Sequence, residues 1–109
     1  MSETTYQLTF TEQAALKIFK RTTGARVALA VLAGVAPEQG WEGCEVYLGQ
    51  PEEPEQICLG IRGPGAKAAQ QQLAGALERL GIPVSEKTAA APAIKAPLAR
   101  VQQGRWQSS

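Results

Sequence analysis

Apolar and polar residues alternate strictly from Thr5 to Phe10, with Tyr6, Leu8 and Phe10 on one side and Thr5, Gln7 and Thr9 on the other. That period predicts a strand buried on one face. It changes at Thr11, a helix cap followed by Glu12 in the first turn, after which Ala15, Leu16, Ile18 and Phe19 form an apolar side opposite Lys17, Lys20 and Arg21. Thr22, Thr23 and Gly24 end this helix, with Gly24 supplying the left-handed cap. Arg26 to Leu32 then run as nearly unbroken Val, Ala and Leu, which predicts a central strand buried on both faces.

Between Val35 and Gln56 the chain turns to Glu, Gly and Pro, with no basic residue. A short strand at Cys44 to Leu48 interrupts this acidic region and is expected to pair with Gln56 to Ile61 as a hairpin across Gly49 to Glu55. Pro64 is placed to start a helix in which Ala66, Ala69, Leu73, Ala76, Leu77 and Leu80 recur at helical spacing, with Gln70, Gln71 and Gln72 mainly outward. Gly81 is its C-cap and Pro83 blocks continuation. Ile82 to Ser85 is expected as a short edge strand. Beyond Lys87 the chain is rich in Ala and Pro and ends in polar residues, which predicts a mobile tail over 88–109.

These elements sum to an α+β domain over 1–87 with the order β-α-β-β-β-α-β, a ferredoxin-like variant with both helices on one face of a mainly antiparallel sheet. With 109 residues the chain can close one core. A net charge of +1 supplies no global field, so a charged partner must be met by a local patch. The polar N-terminus shows no secretory pattern, and the longest apolar run, Val27 to Ala36, is about half of the roughly 20 residues a membrane helix needs. A soluble, cytoplasmic protein is expected.

Composition excludes most catalysis. There is no His, Asp or Asn, and all ten acidic residues are Glu. Lack of His removes the side chain that titrates nearest neutral pH, the commonest general base and metal ligand. Cys44 and Cys58 match no zinc or redox motif and read as packing residues. The six glutamates from Glu38 to Glu55 lack a calcium-loop register. No enzyme activity, metal or cofactor is expected.

Two exposed segments remain as candidates for partner contact. The acidic loop carries Trp41 and Glu42, its Trp either tucked over the core edge or offered as an anchor. The tail carries Ile94, Leu98, Arg100, Arg105 and Trp106, a pattern that suits a peptide folding onto a partner. A weaker candidate is the strand-to-helix turn Arg62-Gly63-Pro64-Gly65-Ala66-Lys67, where Gly63, Gly65 and Lys67 could hold an anion at a helix start.

Two stretches resemble known families without carrying their function. Ile57 to Val84, a strand, a Gly-containing turn, an Ala-rich helix and Gly-Ile-Pro-Val, resembles the second half of bacterial microcompartment shell domains, which tile as hexamers; its matches are mostly Ala and Gly. Leu8-Thr9-Phe10-Thr11 with Ala14 and Ala15 is similar to A-type iron–sulfur carriers, but their C-terminal Cys-x-Cys pair is absent.

The leading expectation is a non-catalytic adaptor that contacts a protein partner through the Trp41 loop and a tail whose removal leaves the fold intact. A small nucleic-acid-associated protein using Lys17, Lys20, Arg21 and the tail is the second. A self-assembling subunit pairing through the Ile82 to Ser85 edge is the third.

Overall fold

The computed structural model describes residues 4–20, 23–90 and 96–108. The chain forms β1 (Thr4–Thr11), α1 (Glu12–Phe19), α2 (Gly24–Ala33), β2 (Glu45–Leu48), β3 (Gln56–Arg62), α3 (Ala66–Arg79), β4 (Ser85–Ala90), β5 (Ala99–Gln102) and β6 (Arg105–Ser108). The six strands make one antiparallel sheet in the order β4-β1-β3-β2-β5-β6. Among the described residues this is an α+β architecture with three helices.

Register decides which side chains share a face. Leu8 lies opposite Leu59, Phe10 opposite Ile57, and Val46 opposite Ile61. These residues form one buried layer with Ala15, Val27, Val31, Ala69, Leu73 and Leu77 from the helices, so all three helices cover the same face. Apolar burial there is the main stabilising term. The other sheet face carries Gln7, Thr9, Cys58, Gly60, Arg62, Tyr47, Glu45 and Arg100, as the same registers require.

Local chemistry explains the helix ends. The Thr11 hydroxyl accepts the Ala14 N–H at the start of α1. Gly81, at φ 86, closes α3 with a paired cap: its N–H reaches the Glu78 carbonyl while the Ile82 N–H reaches that of Leu77. Ile82 is buried beside that turn. The hairpin of β2 and β3 forms where the sequence predicts it.

Several expectations are corrected. Gly24 to Ala33 is a helix, because burial falls on Val27, Ala28, Val31 and Leu32 while Leu29 and Ala33 face outward, a helical stripe that a continuous apolar run conceals. Four alanines in the run favour that outcome. Lys20, at φ 57, is the left-handed cap of α1, and Gly24 instead opens α2. The third helix begins at Ala66 behind Gly65, and the last core strand is Ser85–Ala90 rather than Ile82 to Ser85.

Gln70 points inward and donates to the main-chain oxygens of Gln7 and Lys87. The boundary expected at residue 87 falls inside β4, and residues 99–108 of the expected tail form a hairpin that extends the sheet. Alternation in Ala99-Arg100-Val101-Gln102, with Ala99 and Val101 buried, explains this ordering. No helix among the described residues is long and apolar enough to cross a membrane.

Candidate binding surface

Glu45 opens β2, and both of its neighbours in the sheet present an arginine. Pairing with β3 sets Arg62 opposite it, and pairing with β5 sets Arg100 opposite it on the other side. One carboxylate therefore lies between two guanidinium groups across three adjacent strands on the helix-free face. Arg62 Nε donates to Oε1 at 2.9 Å, Arg100 Nε donates to Oε2 at 2.7 Å, and Arg100 Nη2 donates to the same oxygen. Burial alone would raise the Glu45 carboxyl, but the hydrogen bonds from Arg100 and Arg62, with their charges, outweigh it and hold it below the usual carboxylate range.

A glycine underlies this arrangement. Tyr47 points to the same face as Glu45 and lies across Gly60, where a Cβ would fall 2.3 Å from the ring. Arg62 in turn stacks over Tyr47, its guanidinium carbon 5.0 Å from the ring centroid. Gly60 thus seats Tyr47, Tyr47 supports Arg62, and Arg62 fixes Glu45 for Arg100. The Arg100 side chain remains 47% exposed. Gln102, Arg105 and Gln107 extend the face, since Arg105 pairs with Gln102 and Gln107 pairs with Arg100. Arg105 is exposed and forms no ion pair among the described residues.

The two tryptophans turn inward. Trp41 takes the tucked placement, 3% exposed, with its ring against Gly65 and its centroid 6.3 Å from that of half-buried Trp106. Trp106 Nε1 donates to the Val35 carbonyl at 2.9 Å. Glu42 receives the Gln103 N–H at 2.6 Å and the Gly104 N–H at 3.4 Å. Gln103 and Gly104 both have positive φ and form a tight two-residue hairpin turn. Its outward N–H groups are what the Glu42 carboxylate meets. Leu98 packs against the core and donates its N–H to the Val46 carbonyl at 2.7 Å.

Of the residues expected to meet a partner, Trp41, Glu42, Leu98 and Trp106 therefore hold the β5–β6 hairpin to the domain. Arg100 and Arg105 are brought together on the helix-free face. Ile94 lies outside the described residues, as do Lys95 and Arg21. Gly63 and Gly65 are tied to packing: Gly63 approaches the Gly43 carbonyl and Gly65 approaches Trp41, while Lys67 is exposed on the first turn of α3. Sequence reasoning missed Glu45 and read Arg62 only as the start of the candidate turn, because the signal that joins them lies in pairing register rather than in spacing along the chain.

Other reactive groups are quiet. Cys44 and Cys58 are buried free thiols. Burial, aided by the adjacent Glu45 charge, pushes the Cys44 thiol up to about 11, and burial raises Cys58 as well. Both are held away from the nucleophilic thiolate. Among the described residues no three His, Cys, Asp or Glu side chains gather to hold a metal. A shallow apolar groove of about 200 Å³ lies between α2 and α3, lined by Ala30, Val31, Gly34, Ala76, Arg79 and Leu80.

Fold and surface together define a small α+β chain with one helix-covered sheet face and arginines on the helix-free one. No family model, curated protein or solved structure matches it.

Proposed function

We propose that this chain is a non-catalytic, cytoplasmic binding module that takes an acidic segment of a protein partner on the helix-free face, through Arg100 and Arg105 with Arg62 beside them. The observation that carries this reading is the Arg62–Glu45–Arg100 arrangement, which holds planar cationic groups in fixed positions next to exposed Arg105. Guanidinium groups suit carboxylates geometrically, and prior ordering reduces the entropy lost on binding. The partner contact moves from the tryptophans to the arginines. Buried, protonated thiols support the non-catalytic reading, and free cysteines suit a reducing compartment.

Nucleic acid is the less favoured ligand for this surface. Sequence-tolerant binding to single strands needs exposed aromatic faces for base stacking, and Tyr47 is buried beneath Arg62. We further propose a ferredoxin-like core for the first four strands, with β5–β6 as an added hairpin. The antiparallel order β4-β1-β3-β2, with helices linking β1 to β2 and β3 to β4, supports that assignment.

The test is fluorescence anisotropy with a labelled oligoglutamate peptide and a single-stranded oligonucleotide of equal charge. The peptide is expected to bind, and R100Q/R105Q, folded by circular dichroism, to weaken it by about tenfold or more. Equal affinity in the double variant, or no peptide binding, overturns the reading. Tighter binding of the oligonucleotide replaces the acidic protein partner with nucleic acid.

A further inference from the structure

The β2–β3 hairpin is electrically polarised along its length. One end presents Arg62 and Arg100 around the single Glu45 carboxylate, which leaves an excess of positive charge; the other is the turn 49–55, which carries exposed Glu52, Glu53 and Glu55. Lys87 pairs with Glu52, 2.7 Å from Nζ to Oε1. Glu53 and Glu55 form no ion pair among the described residues. They lie close enough to share a hydrogen bond, which raises Glu53 and lowers Glu55. Pro51 and Pro54 limit the freedom of the turn. Glu52 folds back to Lys87 on the helix-free face, whereas the main chain at Glu53 and Glu55 is tied to Gln56 and Glu12. From Gln56 to Arg62 the strand extends about 20 Å at the usual rise, so Glu53 and Glu55 lie at the far end of the hairpin from Arg62.

We infer that the acidic segment which the arginine face accepts is the Glu52–Glu55 turn of a second copy of this chain, so that the protein self-associates tip to face. The inference rests on the binding reading above and names its partner. Charge complementarity carries it: a stiff, exposed carboxylate tip at one end of the hairpin and ordered guanidinium groups at the other, too far apart to neutralise each other within one molecule. Contact between two different patches is directional, so it either closes reciprocally between two copies or propagates. Both forms depend on the same charges and are screened by salt.

The experiment is light scattering on the full chain over a concentration series at low and high salt. At low salt the mass is expected to rise to about twice the monomer value or more, and to return to the monomer value at high salt. The tip reversal E53R/E55R and the face reversal R100E/R105E should each be monomeric at low salt, and an equimolar mixture of the two should associate again. That recovery also shows both variants to be folded. Oligoglutamate separates the two readings. A wild-type chain that stays monomeric at every concentration but binds the peptide, and loses it in R100E/R105E, overturns self-association and leaves the binding reading standing. A chain that does neither overturns both. A salt-resistant oligomer, or one that persists in both reversals, also overturns the tip-to-face contact.

Discussion

Trp106 donates its indole N–H to the main-chain oxygen of Val35, 71 positions earlier in the chain, and so ties the last strand to the end of the second helix. The same ring lies beside Trp41. Trp106→Ala removes a half-buried aromatic body and leaves Trp41 without its ring neighbour, and is expected to destabilise the fold by about 2–3 kcal/mol, below the range for a fully buried aromatic. Trp106→Phe keeps a ring and loses the hydrogen bond, for about 1 kcal/mol. Urea unfolding of the three proteins checks both values.

Gly60 admits the Tyr47 ring because it has no Cβ. Gly60→Ala is expected to displace that ring, at about 1–3 kcal/mol of stability, and to free Arg62 from its stacking position. Tyr47→Ala/Gly60→Ala should then be less destabilised than the sum of its single variants, since the clash is gone. Additive effects in a double-mutant cycle would show that the two residues act independently.

Much of the fold was legible where period and punctuation agree, as in the alternation of β1, the hairpin of β2 and β3, and α3 with its Gly81 cap. The second helix was not, because a run apolar at almost every position has no visible period; only the exposure of Leu29 and Ala33 separates helix from strand. The β5–β6 hairpin was masked by its Ala- and Pro-rich approach, although Gln103-Gly104 between two alternating segments is a turn signal. The candidate surface was half legible. Arg100 and Arg105 stand out in the composition, but Glu45 joins them through pairing with residues 17 and 55 positions away.

Acid should weaken the fold partly through Glu45. Its carboxyl is held below the ordinary value when folded, so its contribution is fully present above the unfolded value of about 4.3 and is lost as pH falls through the lower folded value. Wild type is therefore expected to exceed Glu45→Gln in stability at neutral pH, with the gap closing below pH 4. Denaturation midpoints recorded across that range check it. A gap independent of pH would show that the carboxylate charge is not what the arginines stabilise.

Cys44 should be a reporter of unfolding. It is fully buried and its thiol is pushed up to about 11, so both access and ionisation oppose alkylation near neutral pH. Native protein is expected to label slowly with a thiol reagent, and chemically denatured protein to label at the rate of a free cysteine. Rapid native labelling at Cys44, identified by peptide mass, would place that thiol at an accessible surface.

The C-terminal hairpin carries the largest expected effect. Deleting Ala96 to Ser109 removes Val101, which exchanges main-chain hydrogen bonds with Gly43 and Cys44, and Leu98, which donates to Val46. It also removes the ring beside Trp41 and turns β2 from an inner strand into an edge. Buried apolar surface at Trp41 and Val46 becomes exposed together with unpaired main-chain groups. The shortened chain is expected to lose about 3 kcal/mol or more, a large share of a small domain's stability, and its urea midpoint should fall accordingly. A dispensable tail would leave that midpoint unchanged, and Trp41 emission would then keep its native position despite the loss of Trp106.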